Sequence, residues 1–184
     1  MKERFTKKEI AKIGFKSVGT DVLISKSAKF YGASNMEIGN HVRIDDYSIF
    51  VGNIIIGNHV HIGAFASLHA SSGSIKIGDF SGLSSRVTIY AASDDFSGDS
   101  LIGHDIPYIY TRIISSNILI DNFCHIGTGS TLLPGACLLE GSSIGAMSLV
   151  KVRTDSWSIY AGIPCKKIKK RSTKEKELAK LIAE

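Results

Sequence analysis

No stretch of this sequence approaches 18 uncharged apolar residues, and it opens MKERFTKKEI without the apolar segment of a secretory leader. Such a chain is expected to be neither membrane-spanning nor secreted. It has only three cysteines, Cys124, Cys137 and Cys165. They are odd in number and lack metal-ligand spacing, so they read as packing thiols of a reducing cytoplasm. No metal is expected. No Pro- or Ser-rich linker divides the 184 residues, which argues for one domain.

What the chain does have is a six-residue rhythm. With three phase slips, every sixth residue is Val, Ile, Leu or Phe: Val18, Ile24, Phe30; Ile38, Ile44, Phe50; Ile56, Ile62, Leu68; Ile77, Leu83, Ile89. After a long interruption the series resumes at Ile120, Ile126, Leu132, Leu138, Ile144 and Val150. Four residues further on stands a small or β-branched side chain, as in Val22, Ala28, Val42, Val60, Ala66, Val87, Cys124 and Ala136. A hexad period suits neither a helix nor a flat strand. It describes short strands that turn a corner each time.

Three hexads close a triangular coil, and eighteen hexads predict six coils stacked about 4.8 Å apart. The large aliphatic points inward, the small residue fills the neighbouring interior position, and Gly, Asn or Asp is expected to supply the corner conformations. The slips fall between coils, at Asn35–Met36, near Gly73–Ser74, and between Asp94 and Ile120. The predicted organisation is a capping helix and lead-in over 1–17, a solenoid over 18–165 with an excursion at 95–119, and a basic segment with a helix over 166–184. Thr6-Lys7-Lys8-Glu9 and Ser172-Thr173-Lys174-Glu175 each have the form of a capping box. The first helix is expected to plug the open end of the solenoid. The second carries Leu178, Leu181 and Ile182 on one stripe.

This pattern resembles the hexapeptide-repeat acyltransferases from about Phe15 to Arg171. It ends in YAGIPCKKI, Tyr160–Ile168, close to the family's closing G-x-P-A-K-x-I, with Cys165 in place of Ala. The resemblance implies an all-β solenoid, a left-handed parallel β-helix, although handedness does not follow from the spacing. It further implies an acyl-CoA co-substrate, with acetyl-CoA expected, and a homotrimer with sites between adjacent subunits. In such enzymes the cofactor lies along one edge. Here that edge would offer Gly127, Gly145 and Ala146 to the pantetheine arm, Ala161, Gly162 and Pro164 to the adenine end, and Lys166 and Lys167 to the phosphates. The net charge of +5 gathers at this point, in Lys166, Lys167, Lys169, Lys170 and Arg171. A solvated face and nucleic-acid binding are the competing readings. No aromatic stacking platform accompanies the run, so no nucleic-acid partner is expected.

Related sugar acetyltransferases carry a histidine at the start of the excursion, in V-T-I-x-x-x-x-H-P. Laid on VTIYAASDD, Val87–Asp95, that position falls on Asp94. A sugar hydroxyl must lose its proton as it attacks, and a carboxylate is a poorer acceptor for it than an imidazole. An amine is partly neutral near pH 8 and needs orientation and a hydrogen-bond acceptor instead. Asp94 therefore points to an amino-sugar acceptor, with Glu140 as a helper or as a solvated corner residue. His125, which closes the hexad after the excursion, is the alternative base.

Ser81, Asp95 and His69 are candidates to touch the sugar, and His104 lies inside the excursion. Segments such as RIDDY (Arg43–Tyr47), DFSGLSSRVTIY (Asp79–Tyr90) and GAMSLV (Gly145–Val150) resemble the branch linked to surface polysaccharides. That branch includes N-acyltransferases of nucleotide-linked 4-amino-4,6-dideoxy sugars, and O-antigen synthesis is the implied setting. An O-acetyltransferase and a non-catalytic β-helix are the other classes in play.

Overall fold

The computed structural model describes residues 3–182, so the outermost bounds of the two end segments lie outside it. The hexads fold as a parallel β-helix of six coils with three faces. On the first face Val18, Ile38, Ile56, Ile77, Ile120 and Leu138 stack in parallel register. The second face aligns Ile24, Ile44, Ile62, Leu83, Ile126, Ile144 and Tyr160. The third aligns Phe30, Phe50, Leu68, Ile89, Leu132 and Val150. All eighteen hexad residues stand as the spacing predicts. Each is buried except Val18 and Phe30 in the first coil.

The residue four places on is interior too. Ala28, Val42, Val60, Ala66, Val87, Cys124 and Ala136 are buried, and Val22 packs against the core. Several rungs use serine there, and its hydroxyl is spent on backbone carbonyls. Ser48 donates to Asp45 O and Gly63 O at 3.1 Å, Ser130 to Gly145 O at 3.0 Å and Ser148 to Gly145 O at 2.7 Å. Each satisfies a polar group that would otherwise be costly inside.

The corners depart from expectation. The left-handed conformation falls three residues after the large aliphatic, and on many rungs a bulky side chain occupies it: His41, Tyr47, His59, Phe65, Phe80, Phe123 and Met147. Stacking between coils accounts for this choice. His41, His59, Phe80 and Phe123 form a column at centroid spacings of 4.6, 4.7 and 5.3 Å, and Trp157 tilts onto its end at 5.8 Å. Ring contact offsets the cost of the left-handed backbone.

The glycine of the IGN and IGD hexads serves close approach instead. A Cβ on Gly39 would lie 2.5 Å from Gly57 O, and one on Gly78 would lie 2.6 Å from Asn122 N. Beside it runs a side-chain ladder. Asn40, Asn58, Asp79 and Asn122 each accept from the backbone N–H of the residue one coil earlier, at 2.7–2.9 Å.

Both ends are covered. Helix α1 (Lys7–Ile13) forms the capping box, with Thr6 and Glu9 exchanging hydrogen bonds and Gly14 closing the helix at φ 84°. Its Ile10 joins the core. At the other end Lys166–Lys170 is a strand, not the start of a helix, and pairs antiparallel with Ser158–Ala161. Its exposed lysines discourage further pairing along that edge. Helix α2 (Lys174–Lys180) lacks the second capping box, because the Glu175 carboxylate faces Arg171 at 2.5 Å and His125 at 3.2 Å. Its apolar stripe of Leu178, Leu181 and Ile182 is exposed. Among the described residues no helix is long and apolar enough to cross a membrane.

Candidate active site

The corner between the second and third faces is built from small residues. Immediately after the second-face aliphatics come Ser25, Asp45, Gly63, Ser84, Gly127, Gly145 and Ala161, one above the other. Backbone meets backbone here. A Cβ on Gly127 would sit 2.5 Å from Ala146 N, and one on Gly145 would sit 2.9 Å from Ala161 Cβ. The predicted cofactor residues Gly127, Gly145, Ala146, Ala161 and Gly162 thus share one edge. Gly162 donates to Ser148 Oγ at 3.0 Å, and the following Ile163–Pro164 peptide is cis. Lys166 lies opposite Ala161 at the end of this edge. Lys167 Nζ donates to Asp155 at 2.8 Å, and that partner raises the Lys167 pKa.

Beside the edge, on the second face, a concavity of about 500 Å³ is lined by Asp45, His61, Ser84, Ser85, His125 and Gly127 among others. His125 stands between this concavity and α2, with its Nε2 3.2 Å from Glu175. Gly82 makes room for the imidazole, since a Cβ there would lie 3.2 Å from His125 Nδ1. Three coils below His125, Asp45 accepts from Arg43 Nε at 2.9 Å and faces His61 Nε2 at 2.8 Å. Burial pushes the Asp45 pKa up, but hydrogen bonds from His61 and Arg43 outweigh it and hold the carboxyl below its ordinary value.

Asp94 lies elsewhere. The excursion leaves and returns through a two-stranded antiparallel ribbon, Ala92–Asp94 with Ile113–Ser115, in which Asp94 faces Ile113. Its exposed carboxylate borders a second concavity of about 430 Å³ with Ile102, His104, Tyr108 and Thr111. Within one chain, then, Asp94 and His125 line different concavities.

Four expectations need correcting or narrowing. Ser81 is buried and donates to Asp121 O at 2.9 Å while accepting from Cys124 N–H at 3.0 Å, so its hydroxyl is scaffold and not open to a sugar. Asp95 is turned inward at the neck of the excursion. It accepts from Ser97 N–H at 2.9 Å, which lowers its pKa, and lies 3.5 Å from Arg112 Nη1. Glu140 sits on another corner from Asp94, engaged by Lys176 at 2.7 Å and Trp157 Nε1 at 3.3 Å. It serves to strap α2 down. His69 bonds Ser67 Oγ at 2.6 Å and stacks on Tyr90 at 5.1 Å, and burial lowers its pKa. Its place is on the third face below the ribbon.

Residues 35–70 match the family described as bacterial transferase hexapeptide (six repeats). A dTDP-4-amino-4,6-dideoxy-D-glucose acyltransferase of Escherichia coli is 41% identical over 173 residues, covering 92% of this chain and 90% of its own length. This chain belongs to the hexapeptide-repeat acyltransferases. Its solenoid is the left-handed parallel β-helix of that family, and its co-substrate is an acyl-CoA. AntD, an N-acyltransferase from Bacillus cereus solved with dTDP and 3-hydroxybutyryl-CoA, matches the acyltransferase with a TM-score of 0.97. AntD is 42% identical, and the match covers 100% of this chain and 97% of that one. Galactoside acetyltransferase in complex with coenzyme A, 22% identical at a TM-score of 0.60 over 92% of this chain and 72% of that one, shares the fold.

Sequence reasoning passed over Ser84, Arg43, Asp45 and His61. Their signal is positional. Each flanks a second-face aliphatic, where Gly63, Gly82, Gly127 and Gly145 show that a side chain is not needed for packing.

Proposed function

We propose that this acyltransferase moves an acyl group from coenzyme A to the amino group of a dTDP-linked 4-amino-4,6-dideoxy sugar, within the cytoplasm and for surface-polysaccharide synthesis. The observation that carries this reading is a carboxylate, Asp94, at the start of the excursion, together with an unbroken small-residue edge ending in a concavity at Ser84. AntD has been crystallised with coenzyme A and with dTDP or the dTDP-amino sugar, in variants at its Asp94 (D94A, D94N) and its Ser84 (S84A, S84C, S84T). This chain has Asp and Ser at those numbers, which supports the same two residues here.

In this reading the pantetheine arm runs along Gly145, Ala146 and Gly127, with Ala161, Gly162 and Pro164 near the adenine and Lys166 and Lys167 near the phosphates. The amine lone pair attacks the thioester carbon, the C–N bond forms, and C–S cleavage releases the coenzyme A thiolate, which takes up the proton the nitrogen loses. A backbone N–H polarises the thioester carbonyl, a contribution of about 3 kcal/mol. Asp94 accepts a hydrogen bond from the amine and turns its lone pair toward the carbonyl.

Asp94 reaches the concavity from a neighbouring subunit of a homotrimer. Ser84 and Asp94 belong to the same coil level, and the excursion exposes Phe96, Tyr108, Ile109 and Ile113 for a neighbour to cover. A thiol-release assay with acetyl-CoA and 3-hydroxybutyryl-CoA, against amino and hydroxy sugars, tests the reading. Turnover should require the amino sugar. Asp94→Asn should lower it by roughly 10²–10⁴-fold, with the loss shrinking as pH rises and the amine becomes neutral. The second reading, an O-acyltransferase, rests on His125 lining the same concavity as Ser84. A dead His125→Ala beside a nearly normal Asp94→Asn would establish it instead.

A further inference from the structure

Below Ser84 the second face carries a cluster with no role in the transfer step. Arg43 and His61 occupy adjacent coils in direct register. Both stand one residue before an inward aliphatic, so both side chains leave the face outward. Between them sits Asp45, whose side chain is only 10% exposed. Its Oδ1 accepts from Arg43 Nε at 2.9 Å, and its Oδ2 accepts from Arg43 Nη2 at 3.3 Å and faces His61 Nε2 at 2.8 Å. One nearly buried carboxylate therefore orients a half-exposed guanidinium and a half-exposed imidazole.

Hydrogen-bond accounting shows what is left over. A guanidinium has five N–H donors in a fixed plane, and Asp45 takes two of them. Three remain on Arg43. With His61 Nε2 turned to Asp45, its Nδ1 is the outward nitrogen, and it donates when the ring is protonated. Asp45 also holds the guanidinium and the imidazole side by side on adjacent rungs, about 4.8 Å apart. Planar forks paired with a second donor suit the oxygens of a phosphoryl group.

Position agrees with chemistry. Asp45 and His61 line the concavity that also holds Ser84, His125 and Gly127. Along the helix axis the order is donor edge at Gly145 and Gly127, Ser84 one coil below, then His61 and Arg43. An acceptor whose amino sugar lies at Ser84 extends its other end one to two rungs toward α1, about 5–10 Å. Gly63 and Gly82 present no side chains to block that path. We propose that Arg43 and His61, clamped by Asp45, form the subsite for the diphosphate of the nucleotide-linked acceptor. The proposal rests on the nucleotide-sugar reading above.

Calorimetric titration of the full chain in its native assembly tests it, with dTDP and coenzyme A as separate probes. Binding of dTDP to the unaltered protein reports the parent reading; if coenzyme A binds and dTDP does not, that reading fails and the subsite falls with it. Given dTDP binding, Arg43→Gln and His61→Gln should each weaken dTDP by roughly 10–100-fold, as expected for hydrogen bonds to a charged group. Coenzyme A affinity and the mass by light scattering should stay unchanged, and kinetically the loss should appear in KM for the sugar nucleotide more than in kcat. Arg43→Lys should recover only part of the affinity, because it restores charge without the fork. Unaltered dTDP affinity in both Gln variants would overturn the proposal. So would a fall in kcat alone, which would make His61 a proton acceptor, or a changed assembly mass, which would assign the cluster to subunit packing.

Discussion

Gly39→Ala separates two reasons for a corner glycine, backbone conformation and close approach of the next coil. Gly39 is outside the left-handed region, so alanine can adopt its backbone. If conformation were all that mattered, the substitution would stabilise the protein by about 0.4–1 kcal/mol through the unfolded chain. The structure opposes this with three backbone atoms of the next coil. The new Cβ would lie 2.5 Å from Gly57 O, 2.6 Å from Gly57 C and 3.0 Å from Asn58 N. Those atoms cannot swing aside as a flexible side chain would. Gly39 N–H is tied to Ile56 O at 2.8 Å, and Asn40 N–H to Asn58 Oδ1 at 2.9 Å.

Forcing a methyl group into such a site costs about 1–3 kcal/mol, and contacts this short belong at the upper end. After the unfolded-state gain the net loss is about 2 kcal/mol. In a chain of this length that is a fall of about 4–8 °C in the thermal midpoint. Gly98→Ala is the control. Gly98 has φ 91° and nothing within 4 Å of its Cβ position, so only the conformational cost applies, about 1 kcal/mol or 2–4 °C. Scanning calorimetry of both variants at one protein concentration gives the ranking. A Gly39→Ala protein as stable as the parent, or less affected than Gly98→Ala, would refute the close-approach account of the IGN glycines.

The buried thiol and the carboxylates give further tests. Burial pushes the Cys124 pKa up to about 12, and its Sγ lies 3.3 Å from Leu139 O. Iodoacetamide at pH 8 should leave it unmodified in the folded protein while half-buried Cys137 reacts, as peptide mass mapping would show. Early labelling of Cys124 would mean that this corner opens. Asp45, Asp95 and Asp155 are held below the ordinary carboxylate value of 3.8, and Glu9 at about 2. Below about pH 5 the unfolded chain binds more protons at these groups than the folded one, so stability is full above that pH and lost as pH falls through the folded values. The midpoint should drop steeply only below about pH 4, and Asp45→Asn should blunt the drop. An equally steep drop in that variant would remove Asp45 from the account.

The fold was legible because interior positions are periodic, and a period survives any single exception. Ile38, Ile56 and Ile77 declare one face wherever Asn35–Met36 or Gly73–Ser74 adds residues between coils. The corners were not legible in the same way. A left-handed residue is expected to be Gly, Asn or Asp, and that rule holds at Gly129, Gly135 and Gly141. It fails at Phe80 and Phe123, where the stacking partner is a ring one coil away, 43 residues off in sequence. No local pattern contains that neighbour. The second capping box failed for a similar reason. Glu175 has the right spacing to cap α2, but Arg171 and His125 claim its carboxylate, and His125 stands 50 residues away.

The candidate site divides along the same line. Gly127, Gly145 and Ala146 follow second-face hexad positions by one or two residues, so the register places them on one edge, whereas Ala161 and Gly162 lie beyond the last hexad at Val150 and were legible only through the closing signature. Asp94 was legible as a departure, a carboxylate where the resemblance leads one to expect an imidazole. Ser81 and Asp95 misled because polar side chains near a site look alike in sequence, whether they face a ligand or an unpaired backbone group. Ser81 is four residues after Ile77, which is an interior position, and the hexad rule already assigned it there. Arg43, His61 and Ser84 flank inward aliphatics, where the pleat turns every side chain to the outside. The outward positions of the hexads carry this signal: polar residues at 45, 61 and 84, against glycine at 63, 82 and 127, trace the concavity along the second face.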